Sequence, residues 1–179
     1  MKYLLSFARL VDALNERVGR AVAWLVLVAV LVSAGNATLR YALNLSSNAW
    51  LEIQWYLFSA IFLLGAGYTL KKNAHVRIDI VAGRLSKRRQ AWIDIAGGLA
   101  FLLPMSVMIL WLSAPMFWQS YLGGEISADA GGLLRWPVKL LIPVGFGLLT
   151  LQGLAEIAKR IAYLRGAAPD PLEAAQEPR

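Results

Sequence analysis

Apolar and polar positions along the chain fall into long blocks rather than short alternations. Four blocks, at about residues 21–43, 51–70, 91–112 and 138–157, each come near the roughly 20 residues an apolar helix needs to cross a bilayer. The first reads AVAWLVLVAVLVSAGNATLRYAL, the second LEIQWYLFSAIFLLGAGYTL and the fourth VKLLIPVGFGLLTLQGLAEI. Pro104 lies inside the third and Pro143 near the start of the fourth. A proline kinks a membrane helix but is tolerated where neighbours satisfy the carbonyl it frees. The pattern predicts an all-α polytopic membrane protein with four transmembrane helices in a single domain, residues 1–165.

The flanks carry a different pattern. In residues 2–20, Leu4, Phe7, Val11, Leu14 and Val18 share one helical face while Arg9, Asp12, Glu16 and Arg20 share the opposite one. This predicts an amphipathic helix lying in the membrane interface, ahead of the first span. Small residues in VSAGNA resemble a leader cleavage site. The long amphipathic segment before it and the apolar character beyond it favour a retained span instead. Between the third and fourth blocks, SAPMFWQSYLGGEISADAGGLLRWP predicts a short interfacial helix followed by a glycine-rich loop. Residues 166–179, rich in Ala, Pro and Glu, predict a disordered tail.

Composition agrees with the pattern. Of 179 residues, 58% are hydrophobic and 16% charged, against roughly 45–50% and about 25% in soluble domains. Mean hydropathy is +0.54. A net charge of +7 raises the question of nucleic acid, but the basic residues flank apolar blocks and serve membrane orientation better. Lys and Arg gather in the N-terminal helix, in the loop from Lys71 to Arg89 and after the fourth block, whereas the other two loops hold only Arg40, Arg135 and Lys139. Both termini and the basic loop are therefore expected in the cytoplasm. Trp24, Tyr68, Trp92 and Tyr163 would mark that interface; Tyr41, Trp50, Trp55, Trp111, Trp118 and Trp136 would mark the other. The absence of cysteine excludes disulfides, thiol catalysis, iron–sulfur ligation and c-type haem attachment.

Charges inside membranes are costly and often functional. Glu52 opens the second block, where it can meet a proton, a cation or a partner's basic residue. An acid in the first turn of a helix is also stabilised by the macrodipole. Arg40 is close enough in sequence to pair with it, and the structural or interfacial reading is preferred. Asp94 stands near Arg88 and Arg89, and Glu156 near Lys159 and Arg160. No acid lies at the middle of a block, which argues against a proton relay through this chain alone. His75 is the single histidine and has no second ligand at metal-binding spacing. Arg77 and Asp79 alternate with Val76, Ile78 and Ile80 next to it, suggesting a half-buried interfacial segment. The glycines at 65 and 67, 97 and 98, 145 and 147 permit close helix approach. No catalytic, cofactor-binding or metal-binding set emerges.

The stretch NAWLEIQWYLFSAIFLLGAGYTLKKNAHVRIDI, with Glu52 opening a span and HVRID beyond it, resembles the small membrane subunit of tripartite ATP-independent periplasmic (TRAP) transporters, the DctQ-like family. GGLLRWPVKLLIPVGFGLLTLQGL is similar to that family's approach to its fourth helix, and the resemblance covers about residues 20–160. It implies three components. A periplasmic binding protein captures an organic anion, commonly a carboxylate. A large membrane subunit carries the substrate and sodium sites and moves like an elevator. The small subunit packs against the large one in the bacterial inner membrane as fixed scaffold. The motif positions here are Glu52, Trp55, His75, Arg77 and Asp79, carried over as structural or subunit-contact residues. Glu125 and Asp129 are candidates for touching the binding protein.

Other classes predict different features. An autonomous dimeric four-helix exporter needs a titratable group deep in a span, and Glu52 is shallow. A haem or quinone anchor is poorly served by one histidine. Four spans without a visible repeat or central polar cluster also lack what a sodium-coupled carrier uses, so membrane lipids and other subunits are the expected partners.

Overall fold

Each apolar block forms helix in the computed structural model, which describes residues 1–45, 47–73 and 85–169. The helices are α1 (Lys2–Leu43), α2 (Asn48–Lys71), α3 (Lys87–Leu122) and α4 (Trp136–Leu164). All four are long and apolar enough to cross a membrane. α1 ends where Asn44 turns left-handed, at φ 53°, and the Leu45 N–H reaches back to the Leu39 carbonyl at 3.2 Å, a Schellman-type stop. Ser47 then caps α2 by accepting the Ala49 N–H at 3.3 Å. This short link makes α1 and α2 antiparallel neighbours. Val22 lies against Gly65, and Ser33 Oγ donates to Gln54 Oε1 at 3.2 Å.

Residues 2–20 do not form a separate interfacial helix; they are the first half of the 42-residue α1. No proline or paired glycine interrupts the chain near residue 20, and the buried positions continue along one stripe, Ala8, Val11, Asn15, Gly19, Val22 and Ala29. The supposed water-facing acids Asp12 and Glu16 are half-buried against lysines of α4 and α2. Leu4, Phe7 and Leu14 of the expected apolar face are exposed instead.

α3 contains one π-helical turn, Gly98–Leu102, in which the Leu103 N–H bonds the Gly98 carbonyl five residues back. Pro104 follows at once. It has no N–H to donate, and in a regular α-helix its ring would strike the carbonyl four residues earlier; the wider turn removes that conflict. The expected short interfacial helix after residue 112 is likewise absent. α3 runs through SAPMFWQSYL to Leu122, where Gly123 and the left-handed Gly124 (φ 57°) end it. Ser106, Ser113 and Ser120, seven residues apart, are the buried positions of its Leu103–Leu122 part, after Ala91 and Ile95 nearer its start.

α4 is the central helix and packs on the other three. The buried interior is made largely of small side chains, including Ala8, Ala29, Ala91, Ala155, Ala158 and Ala162. Large apolar groups point outward, with Trp24 71%, Phe62 79% and Trp111 78% exposed. Small residues inside and bulky ones outside suit helices associating in lipid, where close backbone approach replaces the drive to bury apolar surface. At Gly145 of α4 an added Cβ would lie 2.7 Å from the Leu63 carbonyl oxygen, so α2 and α4 meet there at backbone contact.

Candidate functional site

Two polar constellations organise the bundle, one at the end where the start of α1 meets the end of α4 and one at the opposite, loop end. At the first of these, wholly buried Asn15 donates from Nδ2 to Gln152 Oε1 at 2.9 Å. Gln152, also wholly buried, donates from Nε2 to Asp12 Oδ1 at 2.8 Å and to Glu156 Oε1 at 2.9 Å. Lys159 Nζ donates to Asp12 Oδ1 at 3.2 Å and to Glu156 Oε1 at 2.6 Å. On the α2 side, Lys71 Nζ donates to Glu16 Oε2 at 2.6 Å and to the Asp12 carbonyl at 3.0 Å, and Lys72 lies 3.9 Å from Glu16. Three carboxylates thus face three lysines, with two amides linking them between α1, α2 and α4.

Packing makes room for this network. A Cβ on Gly67 would fall 2.2 Å from Asn15 Oδ1, so only glycine admits that carbonyl against the α2 backbone. Oδ1 is buried without a conventional donor and rests on the glycine Cα, where a weak C–H···O contact is the available compensation. Arg160 of α4 pairs with Asp94 of α3 at 2.9 Å, which brings the third span into the same end. Arg88 Nη2 reaches the Leu164 carbonyl at 3.3 Å.

At the loop end the first turns of α2 grip the loop between α3 and α4. Asn48, Glu52 and Tyr56 are spaced four apart and so share a face. Asn48 Nδ2 donates to the Ala130 carbonyl at 3.2 Å, Glu52 Oε2 accepts the Leu133 N–H at 2.7 Å, and Tyr56 OH donates to the Leu134 carbonyl at 3.0 Å. The loop is folded on itself. The Ser127 N–H bonds the Leu133 carbonyl at 2.9 Å and the Arg135 N–H bonds the Glu125 carbonyl at 2.8 Å, flanking a bridge between Ile126 and Leu134. Glu125 forms an ion pair with Lys139 of α4. The Lys139 ammonium, assisted by Arg135, holds the Glu125 carboxyl below the usual glutamate range.

The sequence candidates separate accordingly. Arg40 is exposed and does not pair with Glu52. The reason is rotational: Gln54 faces α1, and Glu52, two residues earlier, points about 200° around the helix, toward the loop. Trp55 is 74% exposed on the outside of α2. Asp94 pairs with Arg160 rather than with the expected Arg88 or Arg89. Of the two loop acids, Glu125 is turned to Lys139 and Asp129 is exposed. His75, Arg77 and Asp79 lie outside the described residues. Sequence reading missed Asn15 and Gln152. A lone amide inside an apolar block, as in LTLQGL, is the signal that could have flagged Gln152, since an unpaired polar group in a span is costly.

A family model described as tripartite ATP-independent periplasmic transporters, DctQ component, matches residues 29–162. No curated protein and no solved structure matches the chain.

Proposed function

The chain belongs to the DctQ component family of tripartite ATP-independent periplasmic transporters, and from that premise we propose that this multi-pass membrane protein is the small subunit that braces a larger, transporting one. The large subunit holds the substrate and sodium sites and moves; this chain packs beside it and stays still. It sits in the bacterial inner membrane with both termini in the cytoplasm, so the loop end faces the periplasm. The cargo is an organic anion, commonly a carboxylate, handed over by a periplasmic binding protein. Arg40, Trp55, His75, Arg77 and Asp79 are proposed for the contact with the large subunit, Asp129 for the binding protein.

The observation that supports the bracing role is the cross-tying of α1 to α4 through Asn15, Gln152, Asp12, Glu156 and Lys159 and of α2 to α1 through Lys71, Glu16 and the Asp12 carbonyl. Interhelical hydrogen bonds and ion pairs at one end and a gripped loop at the other leave the bundle few ways to deform. That is what a fixed frame requires when a neighbour slides past it. Proteoliposomes test the proposal. The large subunit with this chain, binding protein and a sodium gradient should accumulate substrate; this chain alone should not. Unimpaired uptake by the large subunit without this chain would refute it.

A further inference from the structure

Two contacts set how α1 and α2 lie against each other. Val22 lies against Gly65, and Ser33 Oγ donates to Gln54 Oε1 at 3.2 Å. The contacts are eleven residues apart on each helix, so the antiparallel register holds between them. Carried on toward the loop end, that register sets Asn36 level with Leu51 in the first turn of α2, and Arg40 level with its cap, Ser47. Ser33, Asn36 and Arg40 recur at three and four residues and so share the face that Ser33 turns to α2. By the same count from the Asn15–Gln152 contact, α4 does not reach the level of Asn36. α2 is therefore the helix that buries it.

This corner gathers donors that lack acceptors. Asn36 is 8% exposed, and its amide has no hydrogen-bond partner among the described residues. An unpaired amide inside an apolar block is costly. Gln54 accepts from Ser33 through Oε1, while its Nε2 has no acceptor among the described residues. Neither amide is sealed from the surface. At the head of α2 the Ala49 N–H is met by Ser47 Oγ, whereas those of Asn48 and Trp50 meet no acceptor among the described residues. Free N–H groups at a helix start favour an anion. Arg40 is exposed and has no acidic partner among the described residues. Glu52, the acid of these first turns, faces the loop and is held by the Leu133 N–H.

Depth identifies the anion. Tyr41 follows Arg40, Trp50 stands in the first turn of α2 and Trp55 follows Gln54, at 85%, 40% and 74% exposed. Exposed aromatic side chains of this kind sit at the headgroup level of a bilayer, where lipid phosphates lie. Asn36 is four residues from Arg40, about 6 Å further toward the membrane centre. That is the level of the ester carbonyls that join a headgroup to its acyl chains. An ester carbonyl accepts and does not donate, which matches Nδ2 of Asn36 and Nε2 of Gln54. A soluble oxyanion can meet Arg40 but brings nothing to the two amides beneath it.

We infer that the corner between the end of α1 and the head of α2 binds one phospholipid. Its phosphate rests on Arg40 and the free N–H groups of Asn48 and Trp50, and an ester carbonyl rests on the amides of Asn36 and Gln54. The inference does not rest on the bracing role, and the contact proposed between Arg40 and the large subunit would then run through the lipid. Native mass spectrometry of the full chain in detergent tests it, with phosphatidylglycerol, diacylglycerol of the same acyl chains and inorganic phosphate as separate probes. One phosphatidylglycerol should be retained about tenfold more strongly than diacylglycerol, as expected for a hydrogen bond between charged groups. Inorganic phosphate should neither bind nor displace it. Arg40→Gln should weaken retention about tenfold, and Lys2→Gln, the same loss of charge at the other end of α1, should leave it unchanged. Asn36→Leu should also weaken retention, yet keep or raise the melting temperature in lipid-free detergent, because the amide has no partner there to lose. Equal retention of diacylglycerol, displacement by inorganic phosphate, no retained lipid, or retention unaffected by Arg40→Gln or Asn36→Leu would each overturn the inference. Absence of lipid together with loss of large-subunit co-purification in Arg40→Gln would overturn it in favour of a carboxylate from that subunit.

Discussion

Asn15 and Gln152, 137 residues apart in the chain, share a 2.9 Å side-chain hydrogen bond in a fully buried setting between α1 and α4. Gln152 is also the donor that links Asp12 and Glu156. Replacing it with leucine keeps the volume roughly constant and removes Asn15's side-chain acceptor, leaving Nδ2 only the longer bond to the Val11 carbonyl at 3.3 Å. Gln152→Leu should destabilise the bundle by about 1–3 kcal/mol, the cost of leaving buried polar groups unmade. Thermal or denaturant unfolding in detergent reads the loss; an Asn15→Leu, Gln152→Leu double variant should recover part of it, since both partners are then apolar.

Close approach of backbones gives a paired control. Gly145→Ala places a methyl 2.7 Å from the Leu63 carbonyl oxygen, whereas nothing lies within 4 Å of a Cβ added at Gly147. Gly145→Ala should therefore cost about 1–3 kcal/mol by forcing α2 from α4. Gly147→Ala should be neutral, or stabilising by up to about 1 kcal/mol through helix propensity. Equal melting temperatures for the two variants would contradict the backbone contact.

The grip of Glu52 on the loop is read by the exchange of one amide. In the intact chain the Leu133 N–H is held by the Glu52 carboxylate at 2.7 Å. Glu52→Leu removes the acceptor and should speed hydrogen exchange at Leu133 on the order of tenfold. Glu52→Gln keeps an acceptor oxygen and should change it much less.

Acid should loosen the same loop through Glu125. Its carboxyl titrates lower in the folded loop than in a released one because Lys139 favours the charged form. The released state therefore binds the proton first. The stabilising contribution is complete above the ordinary glutamate value of about 4.3 and is lost as pH falls below it toward the lowered folded value. Proteolysis between Gly123 and Arg135 should rise on that descent in the wild-type chain, with the component due to this pair missing in Glu125→Gln.

Much of the architecture was legible because lipid demands long apolar segments, and those stand out in any hydropathy profile. What was hidden depends on partners far away in sequence. Asp12 and Glu16 read as a solvent face because Lys159 and Lys71, which neutralise them, lie 147 and 55 residues on. Glu52 stands out in the sequence as an acid opening an apolar block, yet its acceptor role answers a backbone N–H 81 residues away, and no side-chain pattern announces a backbone donor. Arg40 was an attractive partner only by proximity in sequence. Gln152 passed unnoticed because one amide hardly lowers the hydropathy of a block of leucines and glycines.

The length of α1 has a mechanical consequence. Forty-two residues of unbroken helix make a rod of about 63 Å, roughly twice the hydrocarbon thickness. A rod that long is a lever: pivoting by 10° about its Leu43 end would swing Met1 through roughly 11 Å. Asp12, Asn15 and Glu16 clasp it about a third of the way from the free end, far from the Leu43 pivot, where a restraint has long leverage against that swing.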